Sequence, residues 1–296
     1  MKHILFFCFF ILSLSPAAQA NYKIVLHGIN YPVWVDRDQK LSPLSPGAEL
    51  FPGDIITTGK FGRAWLSMPD GSIFKIGQNS RFEINNADFH VVDDTSLLDA
   101  TLNVIKGAFR FTSGFFNTNF NSNHKVKINI GAITIGIRGT DIWGHSTSQE
   151  DFVTLLEGTI SLETESEGLT ILGQPLTAYR KLKDQPADPI LKLELHQVQK
   201  LALETELSEE QGISKVEGKF DLILMSLKNY SRAQQEVSRF QQSGYAVSTE
   251  SKEINGALFT RLILPGFISS KAAYNQSKSL VERFQLENIW VRKQNP

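Results

Sequence analysis

Hydrophobic and polar positions alternate in short runs through the first part of the chain, and helical periods enter only later. Ala64, Leu66 and Met68 alternate before Pro69, Asp70 and Gly71, and residues 73–76 resume the pattern. An Asp-Gly pair between two such runs predicts a hairpin. Similar units follow at residues 104–111 around Gly107, at residues 126–137, and at residues 153–162 with a break at Glu157 and Gly158. Short strands with Gly punctuation predict an all-β sandwich or roll over residues 21–180.

Residues 181–218 read differently. Asp188 and Pro189 offer an N-cap and a first-turn proline, Gly212 offers a stop, and Leu191, Leu195, Val198, Ala202 and Leu207 recur near helical spacing. One amphipathic helical connector is expected, its apolar stripe docked on the β domain or on a second copy. From residue 219 strand-like and helix-like periods interleave. Residues 220–227 read as a strand, 231–243 as a helix with Ala233, Val237 and Phe240 on one side, 245–249 and 257–264 as strands joined across Asn255 and Gly256, 269–286 as a helix, and 289–292 as a last strand. The order βαββαβ predicts an α+β C-terminal domain over residues 219–296, a four-stranded antiparallel sheet with two helices on one face.

Strand alternation then divides that sheet's side chains. With Leu222, Leu224, Leu262, Leu264, Ile289 and Val291 towards the helices, the uncovered face is lined by Ile223, Met225, Phe259, Arg261, Ile263, Trp290 and Arg292. Such an apolar exposed set marks an interaction surface. Aromatic rings cover the apolar C–H face of a sugar and Arg donates to its hydroxyl and carboxyl groups, so Trp290, Phe259 and Arg261 suit a saccharide. The competing reading buries the same face beneath the connector or the β domain.

The first residues add an address. Lys2 and His3, an apolar run over residues 4–14, and Ala18, Gln19 and Ala20 form the pattern of a secretory signal peptide over residues 1–20, cleaved after Ala20. The run is too short to span a bilayer, and a mature chain with no membrane span is expected in the periplasm. Cys8 admits a lipoprotein reading, but Phe6 and Phe7 precede it where small residues are wanted. It is the only cysteine, so the mature chain has no disulfide and no thiolate chemistry.

Composition narrows the classes further. The 296 residues, 41% hydrophobic and 21% charged, allow about two folded units and exclude general disorder. The formal net charge of -1 gives no global attraction to nucleic acid or anionic lipid. Residues 219–296 alone are clearly basic, with 11 Lys and Arg against 6 Asp and Glu. An enzyme is not expected. His27, His90, His124, His145 and His196 are scattered without a metalloprotease spacing, no nucleophile elbow or P-loop occurs, and the pairs Asp93/Asp94 and Glu209/Glu210 are adjacent in sequence, so their side chains point apart. No cofactor and no metal is expected either.

Two ordered sets of motifs resemble known families. Pro46 and Gly47, then Phe51, Pro52, Gly53, Asp54, Ile55, Ile56, Thr57, Thr58 and Gly59, resemble the opening of FecR-type periplasmic domains. Met68 to Ser72, Ile76 to Ser80, Ile137 to Asp141, and Leu156 to Gly158 continue the likeness in order over about residues 24–165. FecR itself carries a cytoplasmic sigma-factor-binding arm and a membrane helix. This chain opens on a cleavable signal instead, so direct sigma-factor regulation is not implied. Arg138, Gly139 and Thr140 read as a structural turn with an internal Arg hydrogen bond, a ligand site being the alternative. The Asn-rich stretch 112–124, with Phe115, Phe116 and Phe120, reads as a strand cover or a recognition loop.

The C-terminal run Arg261 to Phe267, leading into Ser270, Lys271 and Ala272, resembles SPOR domains, with Pro265 and Gly266 exchanged and Ile223 standing where that family usually has Gln. The resemblance implies binding of septal peptidoglycan, specifically glycan strands lacking stem peptides, and hence a link to cell division. The expectation is an exported, noncatalytic cell-envelope protein that binds peptidoglycan through residues 219–296, with the β domain sensing or holding another envelope protein. The alternative is a protein-binding envelope sensor whose C-terminal sheet is an interdomain or partner contact.

Overall fold

A computed structural model describes residues 23–92, 95–114 and 125–294, with the side chains of residues 90–97 and of Arg138 excepted. The signal peptide with Cys8, the pair Asp93 and Asp94, the aromatic positions Phe115, Phe116 and Phe120, and the Arg138 hydrogen bond therefore lie outside the described residues.

The chain is mostly β. Strands β1 (Ile24–Asn30), β2 (Val33–Arg37), β3 (Lys40–Pro43), β4 (Glu49–Leu50), β5 (Ile55–Thr58), β6 (Arg63–Ser67) and β7 (Ile73–Ile76) are short. Asp70 and Gly71 close the β6–β7 hairpin, which places Leu66 opposite Phe74 with both side chains in the core. The next strands are long: β8 (Arg81–Val92), β9 (Thr95–Thr112), β11 (Ile133–Ser146) and β12 (Glu150–Thr164), with β10 (Lys125–Ile130) between them and β13 (Gly168–Leu172), β14 (Thr177–Leu182) and β15 (Leu191–Lys192) after.

The breaks read at Gly107 and at Glu157–Gly158 are corners inside continuous strands. β9 pairs with β8 up to Lys106 and with β7 and β11 from Gly107 onward. β11 places two residues, Gly139 and Thr140, against the single Gly158 of β12, a bulge that bends both strands at one level. The corners fold one sheet over itself, and the inner face packs Phe74 against Phe82 and Phe109 at ring separations of 4.3 and 5.4 Å. Gly107 has φ of +95°, and a Cβ there would stand 2.1 Å from Ser80 Oγ. Only glycine fits both the backbone and the space.

The connector is not one helix. β15 extends the β14 edge, helix α1 (Leu195–Leu203) is nine residues long, and a single 3-10 turn occupies Glu209–Gln211. Asp188 is an ion-pair partner of Arg180 and caps nothing, while Glu194 caps α1 through a reciprocal pair with Gln197. The apolar side chains are spent otherwise. Leu191, Leu193 and Leu201 cover a second small core of Ala108, Trp143, Phe152 and Ala178 on the β domain. Glu206 adds charge to that seam, bridging Lys75 at 2.7 Å and Arg110 at 3.2 Å, and Arg110 in turn holds Asp141.

Then follow β16 (Ser214–Lys215), β17 (Phe220–Leu227), α2 (Tyr230–Gln242), β18 (Ser248–Ile254), β19 (Ala257–Phe267), α3 (Ser270–Phe284) and β20 (Trp290–Lys293). The sheet order is β20, β17, β19, β18, antiparallel throughout. Asn229 and Ser269 cap the two helices through their side chains. β16 bonds β1 on one side and β19 on the other, and the buried residues of the β domain and of the C-terminal unit form one core.

Replacing Gly107 by Ala should cost about 2–4 kcal/mol, the sum of a strained φ and a steric clash. Urea titration of the purified chain should show it as an earlier midpoint at unchanged slope.

Candidate functional site

The helices α2 and α3 lie between the C-terminal sheet and the β domain. Val33 N–H donates to Gly244 C=O at 3.1 Å, Trp34 Nε1 donates to Gln242 C=O at 3.1 Å, and Asn275 Nδ2 donates to Glu209 C=O at 3.1 Å. Among the described residues, these bonds put the helix side of the sheet against the β domain and the connector.

That outer face differs from the alternation prediction at one position. A bulge between Ile223 and Met225 puts Met225 opposite Leu262, on the helix side, where it packs against the main core. The other proposed residues stay together: Ile223 pairs with Ile263 and Trp290, while Arg261 pairs with Ser226 and Glu250. Phe259 lies further along β19 opposite Lys252, with the Lys228 ammonium 5.4 Å from its ring centre.

Two of these residues are covered by their neighbours. Ile223 and Ile263 are 0% and 5% exposed, yet neither belongs to the core beneath the sheet. Arg292 starts on the edge strand β20 and bonds Asp221 Oδ2 at 2.8 Å and, on the opposite edge strand, Glu250 Oε2 at 2.6 Å. A side chain reaching from one edge to the other crosses the strands between, which are those carrying the two isoleucines. Its aliphatic stem can cover apolar surface while the guanidinium stays paired. The hydrogen bonds to Asp221 and then Glu250 raise the Arg292 pKa above its ordinary value. Gln294 Nε2 donates to the second Asp221 oxygen at 2.7 Å, so this buried carboxylate is fully partnered.

Two polar atoms on this face have no partner. Arg261 Nε and Ser226 Oγ, on residues directly opposite each other, are buried and unbonded. The Arg261 guanidinium lies 5.7 Å from the Trp290 ring, which is 38% exposed.

A second concavity, not foreseen from the sequence, lies on the other side of the helix layer. A cleft of about 820 Å³ opens between the β domain and the C-terminal unit, walled by Pro32, Trp34, Phe61, Tyr245, Gln276 and Arg283. Gly244 makes the close approach of its walls possible: with φ of +84°, a Cβ there would stand 2.6 Å from the Trp34 ring. Tyr31 stacks on Tyr245 at 5.8 Å behind it, and burial pushes the pKa of both phenols up. Beside the cleft, ion pairs clamp the 3-10 turn to α3, Lys271 reaching Glu209 at 3.2 Å and Glu210 at 3.3 Å, with Ser269 also donating to Glu209. Phe61 between Gly59 and Gly62 was the local signal of this site; Pro32 and Trp34 join it from around the start of β2, and the facing wall comes from residues more than 100 positions away.

The residues of the ordered N-terminal motifs serve architecture. Asp54 is buried, accepts from Arg37 Nε and Nη2 at 2.6 Å each and from Phe51 N–H at 2.9 Å, and so closes its turn. Asp141 anchors Arg110, and Thr140 N–H donates to Ser113 Oγ at 2.9 Å. Among the described residues, no group of three or more His, Cys, Asp or Glu side chains is placed to hold a metal ion, and no helix is long and apolar enough to cross a membrane.

Residues 54–161 match the family model described as FecR protein. Two solved structures of a candidate anti-sigma factor from Parabacteroides distasonis ATCC 8503 are similar to this chain. One is 7% identical with a TM-score of 0.38, covering 69% of this chain and 96% of that one. The other is 8% identical with a TM-score of 0.39, covering 81% and 99%. A comparison with curated proteins finds no match.

Arg292→Ala should cost about 2 kcal/mol, because it leaves the buried Asp221 carboxylate without its cation and uncovers two isoleucines. Arg261→Ala, whose ion pair with Glu250 is a long one of 3.8 Å, should cost less in the same urea titration. The clamp beside the cleft predicts a pH effect. The Glu209 pKa is lowered by its bonds from Ser269 and Lys271, and that of Glu210 by a backbone bond and then Lys271. A depressed folded pKa contributes stability above the unfolded value of about 4.3 that is lost as pH falls through the folded one. Amide exchange at residues 209–212 should therefore accelerate below about pH 4 beyond its intrinsic rate.

Proposed function

We propose that the protein is an exported, noncatalytic envelope sensor that works by binding a protein partner in the periplasm. In this reading residues 1–20 direct export, residues 21–180 sense, residues 181–218 fasten the two units, and residues 219–296 complete the binding body. The observation that carries it is the state of the outer sheet face. Its apolar centre, Ile223 and Ile263, is already buried, Arg292 is spent on Asp221 and Glu250, and the buried carboxylate is satisfied within the chain, which removes most of the reason for a naked sugar polymer to dock there. The match of residues 54–161 to FecR protein supports a signalling role in the envelope. The shared core supports a single body in which an event at the β domain is felt by the C-terminal unit.

A second reading has its own observation. The exposed Trp290 ring and the unbonded Arg261 Nε and Ser226 Oγ offer a stacking platform with donors beside it, suited to peptidoglycan glycan strands lacking stem peptides.

One experiment separates the two. The purified chain is mixed with sacculi before and after amidase removal of stem peptides and then centrifuged. The sensor reading expects it in the supernatant in both cases, while a photo-crosslinking residue at Lys60 in the exporting cell traps one discrete protein. Amidase-enhanced pelleting that Trp290→Ala abolishes would establish the glycan reading instead.

A further inference from the structure

The cleft between the two units combines three features that its architecture does not require. Phe61 holds a backbone φ of +67°, a left-handed conformation that is costly for a bulky side chain, and its ring is 51% exposed. The strained turn is tied down by a Gly62 N–H bond to Gly59 C=O and a Phe61 N–H bond to Gln78 Oε1, so the ring is held out at the mouth of the cleft. Gln276 is 2% exposed, and one end of its amide bonds Ser279 Oγ while the other end has no partner. An unpaired buried amide atom is a deficit that a ligand can remove. The rim carries Lys60 and Arg283 against Glu282 and a Glu210 already paired with Lys271, so no strong charge of either sign selects a charged occupant.

The remaining polar groups choose between ligand classes. A sugar ring presents several hydroxyls that all need partners. Here Gln211 Oε1 is taken by Arg63, Asn275 is taken at both ends by Glu209 C=O and Lys278, and Ser279 is committed to Gln276. Two buried atoms of the lining are left without a partner, the acceptor Gln276 Oε1 and the donor Tyr31 Oη, and beside an aromatic wall they fit one apolar side chain and one peptide group, whose N–H suits the amide oxygen and whose C=O suits the phenol.

We propose that this cleft binds an extended peptide segment of a protein partner, seating one apolar side chain between Phe61 and Trp34 and pairing one backbone amide with Gln276. The proposal rests on the partner-binding reading above and names the site at which it occurs.

The test uses the purified, isotope-labelled chain and two probes, the blocked tripeptide acetyl-Gly-Phe-Gly-amide and chitotriose. The tripeptide should shift the Gln276 side-chain amide and the Trp34 indole resonances saturably. Phe61→Gly should weaken its binding by about tenfold, about 1.4 kcal/mol, with a melting temperature equal to or above that of the parent, since Gly relieves the positive φ. Gln276→Leu, which removes the unpaired atom at similar volume, should weaken it comparably. No shift at those resonances up to the solubility of the tripeptide, equal binding by both variants, or saturation by chitotriose at the same resonances would overturn the proposal. A discrete crosslinked partner in the cell together with a silent cleft would sink this site alone, whereas pelleting with sacculi would sink the sensor reading beneath it.

Discussion

A two-residue strand decides how this molecule is put together. Ser214 pairs with Ile29 of the β domain and with Phe267 of the C-terminal sheet, and its hydroxyl donates to Pro265 C=O at 2.9 Å. The residue is fully buried, so every polar group it carries must find a partner inside the protein, and it finds them on both units. Because backbone pairing fixes distance and direction together, the stitch sets which side of the C-terminal unit faces the β domain. The helices turn inward, the cleft opens beside them, and the outer sheet face is left to solvent.

That face shows how a sheet with no covering layer manages apolar positions. Ile223 and Ile263 are buried without belonging to the core beneath the sheet. Arginine side chains lying across the face, held by carboxylates on the first and last strands, do the covering. Exposed ion pairs contribute little by themselves. Here the buried Asp221 makes the geometry binding, since a carboxylate out of water must keep its cation. Glycan recognition on the same face would need these pairs to yield or the ligand to settle beside them near Trp290.

The cleft follows a different logic. Its apolar wall depends on a close approach of Trp34 to Gly244, and its mouth on a strained Phe61. Strain of this kind persists only when surrounding bonds overdetermine it, and those bonds come from Gly59 and Gln78 within the β domain. The partner wall comes from α3, held by acidic residues of the 3-10 turn. A site made from two units in this way changes with any motion between them, which is the property the proposed role needs.

What the amino-acid order settles alone is local. Alternation and an Asp-Gly pair suffice for the β6–β7 hairpin, and apolar spacing with Asn229 ahead suffices for α2, because hairpin and helix periods are set within a few residues. The strand register of the seven-residue set was legible for the same reason, except at Met225, where one extra residue in a bulge reverses the side on which the next side chain stands, while the burial of Ile223 and Ile263 was not. Three other features were beyond reach: the connector broken into short pieces, the glycine corners read as turns, and the cleft. Leu191 leaves the helical pattern and, with Leu193, covers the core around Trp143, dozens of positions earlier, and Gln276 and Trp34 line one cleft only because β16 joins β1 to β19. Those outcomes depend on burial and pairing between distant segments, energies that no stretch of chain carries until the whole has folded.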